Sequence, residues 1–124
     1  MAAACDAAVV VSLRAARDLT GRSLVYHRTI EDEDFDVVAI PGSSEFAEQQ
    51  DAYAIHAWQS HDWLCPVADI GGVPGPSDYV VETMDGRVRR FDLMAPPGVQ
   101  PWKFVDRGRV WVRLHTKLVS ETDA

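Results

Sequence analysis

Arg109 to Val119 reads RVWVRLHTKLV, and within it Val110, Val112, Leu114, Thr116 and Leu118 alternate strictly with Arg109, Trp111, Arg113, His115 and Lys117. Alternation at period 2 is the mark of a half-buried β-strand, because successive side chains point to opposite faces. The first set is expected to face a core. The second would then form a basic, aromatic stripe on the outside. A strand of this kind packs one face on an apolar core, and the search for function moves to the outer surface.

Upstream, DYVVETMDGRVRRFDLM (Asp78 to Met94) places Asp85-Gly86 between two β-rich runs. That dipeptide suits a type I′ hairpin turn, whose two central residues both need positive φ. The register follows: Met84 faces Arg87, Glu82 faces Arg89 and Val80 faces Phe91, so one cross-strand pair is ionic and another apolar. The opposite face carries Tyr79, Val81 and Val88, which calls for cover there by a helix, a loop or a second subunit. Ala95 to Phe104 (APPGVQPWKF) is expected to interrupt the sheet before the last strand.

Nearer the start, Leu24 to Thr29 and Phe35 to Ile40 read as strands on either side of the acidic turn Glu31-Asp32-Glu33-Asp34. Pro41-Gly42 is expected to end the second strand, with Ser43 to Asp51 a loop or short helical turn. Tyr53 to Trp58 and His61 to Cys65 read as two further strands joined tightly at Gln59-Ser60. Gly71 to Ser77 (GGVPGPS) is too rich in Gly and Pro for regular structure. Before all of these, Asp6 can cap a helix with Val9, Leu13 and Ala16 on one face and Gly21 as its stop. The expected fold class is mainly β: a small antiparallel β-barrel or sandwich with an N-terminal α-helix. It forms one domain, a helical segment over 1–21 and a barrel over 22–124.

The length of 124 residues, with 47% hydrophobic, is sufficient for a single core. No run of about 18 apolar residues spans a membrane, and the N-terminal stretch lacks the features of a secretory signal. A cytoplasmic site of synthesis is therefore expected. Cys5 and Cys65 are the only thiols and read as free and structural. The net charge of −7 weighs against a general nucleic-acid binder.

Catalytic readings find little support. His56, His61 and Cys65, with Asp62 as an oxygen donor, approach the spacing of a metal site, but no fourth ligand is placed to close a tetrahedron. Ser43 and Ser44 after a strand faintly resemble a lipase-like element, yet the Gly-x-Ser-x-Gly elbow is missing. No catalytic residue, cofactor or metal is assigned. An oligonucleotide-binding barrel would use Trp111 and Arg113 as a stacking platform, against the acidity of the whole chain. A small-molecule barrel would need an apolar cavity.

Residues 76 to 119 resemble the small head-closure, or head-completion, proteins of the neck of tailed phages and prophages. The features that carry the likeness are Pro76 and Asp78 before a strand, the hairpin centred on Gly86, and Met94 to Gly98 leading to Pro101-Trp102. Asp106 then leads a turn, and Arg113 to Lys117 lie in the final strand. The helix, LVYHR, PGSSEF and HDWLCPVADI extend it to the first half. The resemblance implies a structural virion protein, made in the host cytoplasm and placed in the neck. There it would form a ring, commonly of six copies, between the portal or adaptor and the tail or tail terminator, extending and closing the DNA channel. DNA would pass without sequence-specific binding. The adjacent adaptor and tail-terminator rings share this size and β-richness and stand as alternatives.

Six copies at −7 each would carry −42, so a conduit wall that does not grip phosphates is easily built. Glu31, Asp32, Glu33 and Asp34 are the candidates for a channel-facing or subunit-facing acidic patch; a solvated turn is the plain alternative. Arg109, Trp111, Arg113, His115, Lys117 and Trp102 are the interface candidates, because Arg and Trp are enriched where subunits meet. Ser43 to Asp51 and Gly71 to Ser77 are the candidate gates of the channel.

Overall fold

A computed structural model describes residues 12–49 and 55–123, with the backbone alone at 45–49 and 55–58. A helix, α1, covers 12–20. Seven strands follow: β1 (Arg22–Arg28), β2 (Glu33–Gln49), β3 (Ile55–Pro66), β4 (Tyr79–Met84), β5 (Arg87–Leu93), β6 (Trp102–Phe104) and β7 (Trp111–Asp123), with a 3-10 turn, Val67–Ile70, after β3. All pairings are antiparallel, in the order β3-β2-β1-β4-β5-β7, and β7 returns to pair with β3. Six strands thus close a barrel, which removes the open edges that an isolated sheet would expose. β6 takes over from β5 along the same side of β7: β5 pairs with residues 116–123, β6 with 112–114.

The interior holds Leu24, Tyr26, Val37, Ala39, Trp63, Cys65, Ile70, Val80, Phe91, Val112 and Leu114, with Phe35, Val67, Leu93 and Trp102 packed around them. Each large apolar side chain buried here is worth about 1.5–3 kcal/mol. Trp63 meets Phe91 edge to face at 5.5 Å, joining β3 to β5 across the barrel. Gly21 ends α1 as expected: its N–H donates to Arg17 O at 2.8 Å, and a Cβ there would lie 2.4 Å from that oxygen. Leu13 and Ala16 are half-buried. Asp6 and Val9, the expected cap and first contact of α1, lie outside the described residues.

The β4–β5 hairpin has the register read from sequence, Met84↔Arg87, Glu82↔Arg89 and Val80↔Phe91, with φ of 55° at Asp85 and 75° at Gly86. Of its outer face, Val81 and Val88 are half-buried, and Tyr79 is sandwiched between His27 (4.6 Å) and the Arg90 guanidinium (3.8 Å).

Four expectations fail. β2 does not stop at Pro41-Gly42 but continues through Ser43 to Gln49; residues 43–49 are strand, not loop, and 50–51 lie outside the described residues. At this point β2 changes partner, pairing with β1 up to Ala39 and with β3 from Ile40. A handover leaves one strand edge unpaired, which is where a proline's missing N–H is tolerated. Likewise Gln59-Ser60 is no turn: β3 runs unbroken across it, opposite Glu45 and Ser44. β6 sits inside the stretch expected to be irregular.

The fourth correction concerns the last strand. Val112, Leu114 and Thr116 are buried as the alternation requires, but Trp111 and His115 are buried too, and Val110 and Leu118 are exposed. Trp111 lies under α1, with the Arg17 guanidinium 5.6 Å from its ring, and His115 is sealed against Asp62. At the other end Phe91 pairs with Leu118 while Arg90 pairs with Ser120, so Val119 is an extra residue in β7. Such a bulge reverses which face the following side chains take, bringing Glu121 to Arg89 at 3.2 Å.

Candidate functional site

β3 and β7 lie side by side with Asp62 opposite His115 and Leu64 opposite Arg113. Asp62 is 1% exposed, so its carboxylate has to be satisfied by protein. Arg113 Nε donates to it at 2.6 Å, Ser60 Oγ at 2.5 Å and His115 Nδ1 at 3.0 Å, and Ser44 Oγ donates as well. Arg113 also reaches Ser43 O at 3.2 Å. Burial alone would raise the Asp62 carboxyl, but the hydrogen bonds from His115, Ser44, Ser60 and Arg113 outweigh it and hold the group well below the usual carboxylate range. Both serines donate to the aspartate, and among the described residues neither makes the nucleophile-to-histidine bond on which acyl transfer relies. What it does is tie β2, β3 and β7 together where β2 and β3 leave the barrel as a two-stranded ribbon.

Two further carboxylates hold loops. Asp78, 1% exposed, accepts from Tyr26 Oη (2.6 Å), Gly75 N (2.8 Å) and Thr29 N (3.0 Å), closing Gly71 to Ser77 onto β1. Burial first, then the Asp78 hydrogen bond, pushes the Tyr26 phenol far above its ordinary value. Arg28 adds bonds to Ile70 O and Val73 O, so this candidate gate is pinned at both ends. Asp106 accepts from Val110 N and Trp111 N (2.8 Å for the latter) and, through its carbonyl, from Arg109 N at 3.2 Å. The pattern of Asp78 and Asp106 beside strand starts was legible in the sequence; their loop-holding bonds were not.

The acidic turn joins β1 to β2. Asp32 is 92% and Asp34 68% exposed at the side chain; His27 hydrogen-bonds Asp34 at 2.6 Å, and Arg28 lies 3.4 Å from Glu31. Of the basic and aromatic candidates, Arg109 is exposed and projects from the β6–β7 turn over Phe104, 5.4 Å from the ring centroid. Arg113 and Lys117 are half-buried. Trp102 is half-buried against the core and meets Phe104 edge to face at 5.2 Å, so it anchors β6. The structure therefore divides the expected stripe: Trp111 and His115 are internal, and the basic members border an outward flank to which the exposed Lys103 is added. Sequence reasoning missed Lys103, whose position beside Arg113 arises only once β6 pairs with β7.

The residues weighed as metal ligands separate. Asp62 is taken by Arg113 and His115, Cys65 is buried in the core, and His61 packs on Phe91 at 5.5 Å; the His56 side chain lies outside the described residues. Among the described residues no three His, Cys, Asp or Glu side chains gather as metal ligands. A half-open recess of about 310 Å³ at the barrel mouth is lined in part by Arg22, Glu82, Arg89 and Glu121, and its charges pair among themselves: Arg22 lies 2.7 Å from the buried Glu82. Among the described residues no helix is long and apolar enough to cross a membrane.

Buried carboxylates serving as strand and loop ties and charged flanks facing outward complete a small closed antiparallel β-barrel, and that is the class the fold defines. The family model of the phage head-tail joining protein matches residues 4–123, and the chain belongs to that family. Its role is structural, in the neck of a tailed phage. No curated protein matches it.

Proposed function

We propose that copies of this protein stand side by side in a ring that seats on the portal or adaptor, extends the DNA conduit and offers its far side to the tail. Membership of the head-tail joining family over nearly the whole chain carries the reading. Three features support it. The net charge of −7 suits a wall that slides past phosphates. The buried carboxylates act on the protein's own backbone and side chains, which fits a building block better than an enzyme. The β2–β3 ribbon pairs with no third strand among the described residues, and a two-stranded hairpin gains stability when something else packs on it. The stacking platform of a nucleic-acid barrel loses its aromatic, since Trp111 is covered. Head closure is the favoured position, with the adaptor or tail-terminator ring as the second reading.

The test is a phage lacking this gene. Filled heads that lose their DNA and fail to join finished tails are expected, with electron microscopy of complemented particles showing a ring of this barrel between portal and tail. Infectious particles without the protein, or a neck with no density for it, would overturn the proposal.

A further inference from the structure

Five of the twelve Lys and Arg residues, but only one of the nineteen Asp and Glu, fall between 102 and 117; that segment carries +4 and the rest of the chain −11. Acidic residues are thus scarce on β6, β7 and the turn between them; Arg113 there is paired with the buried Asp62, while Lys103, Arg107 and Arg109 are exposed. In the six-membered closure β3-β2-β1-β4-β5-β7, β7 and β1 are three places apart, so they face each other across the barrel. β1 runs antiparallel to β2, β2 to β3 and β3 to β7, which brings the β1–β2 turn and the β6–β7 turn to the same end. A basic flank and an acidic flank thus lie at the same end of the barrel on opposite sides.

The basic turn has a conformation that needs explaining. Its left-handed residue is Arg109 (φ 58°), although Gly108 stands next to it and would adopt that conformation without cost. Asp106 holds the turn through Arg109 N and Val110 N, with Lys103 and Arg109 exposed beside it. That conformation, which Asp32 in the acidic turn shares (φ 53°), leaves the Arg109 side chain exposed on the outer surface.

We infer that the Lys103–Arg109 flank of one copy receives the Glu31–Asp34 turn of the next, a head-to-tail contact between identical chains. This rests on the ring proposed above. A contact between two different patches on opposite sides of a subunit generates closed rings when the rotation closes, whereas a self-complementary patch yields only pairs. Charge complementarity of this kind sets register and rejects wrong partners more than it adds affinity.

The experiment uses particles of a phage lacking the gene, complemented by the full chain. One variant carries Lys103→Glu with Arg109→Glu, the other Glu31→Lys with Glu33→Lys; thermal melts confirm that both fold. Each alone is expected to lower the yield of joined particles at least about tenfold, since like charges would meet across every contact. Co-expressed, the two are expected to restore it, because each reversed flank finds its reversed counterpart on the other variant. In wild-type particles, carbodiimide is expected to link Lys103 of one copy to residues 31–34 of another. Variants that assemble normally, or a mixture that fails to recover while copies cross-link elsewhere, would overturn this contact and leave the ring standing. Wild-type particles without any copy-to-copy link would instead remove the ring itself. Loss of duplex-DNA retention by the first variant, with copy-to-copy links unchanged, would assign the flank to DNA and overturn the inference.

Discussion

Replacing Asp62 by Ala tests whether the buried carboxylate holds the ribbon root to the barrel. The substitution leaves Arg113 Nε, His115 Nδ1 and two serine hydroxyls facing a hole where an acceptor stood at 2.6 Å and 3.0 Å from the first two. Breaking a buried ion pair by removing one partner costs about 3–5 kcal/mol. The Arg113 side chain is 25% exposed and can turn toward water, so the lower end, about 3 kcal/mol, is expected. A domain of 124 residues has on the order of 6–19 kcal/mol of stability in all. At roughly 4 °C per kcal/mol, the melting temperature should drop by about 12 °C. Urea and thermal unfolding followed by circular dichroism measure this, and a double-mutant cycle with Arg113→Met separates the lost pair from the orphaned charge. Asp62→Ala combined with Arg113→Met should recover more than about 1 kcal/mol relative to additivity. A single-mutant effect within about 0.5 kcal/mol, or no coupling in the cycle, would refute the assignment of the carboxylate as a tie.

Because the folded Asp62 carboxyl is depressed below its ordinary 3.8, its contribution to stability is complete above that value and lost as pH falls through it toward the folded value. Acid unfolding curves should steepen below about pH 4, and Asp62→Asn should flatten that part of the profile. Gly71 and Gly86 both have positive φ, but a Cβ at Gly71 would come within 2.7 Å of Phe35 Cζ while one at Gly86 meets nothing within 4 Å. Chemical denaturation should therefore show Gly86→Ala costing about 1 kcal/mol and Gly71→Ala about 2–4 kcal/mol. Burial, then the charge of Asp69, pushes the Cys65 thiol up to about 12, so iodoacetamide should label it at neutral pH only after denaturant is added, as mass spectrometry of the digested protein would show.

The β4–β5 hairpin was fully legible because its information is local: Asp85-Gly86 selects the turn, and the turn selects the register. The continuation of β2 past Pro41 and of β3 past Gln59-Ser60 was not, because proline and polar pairs end a strand only where both edges need hydrogen bonds. Whether they do depends on which strands lie alongside, and at Pro41 the partner is changing. Asp62 was visible as a carboxylate in a β-rich run, but its partners Ser44 and Arg113 are 18 and 51 residues away.

What the sequence determined by itself is the set of short-range facts: a barrel-forming alternation, the hairpin, the stop of α1 at Gly21, an acidic balance and a basic closing segment. Periodicity and turn chemistry act over a few residues, so they can be read one stretch at a time. Which outward side chains remain exposed was decided by the tertiary structure alone. Trp111 and His115 have the parity of a surface stripe, and only the arrival of α1 over one and Asp62 beside the other buries them. The opposition of the acidic and basic flanks has the same origin, since it exists only once β7 closes on β3 and sets β1 across from it.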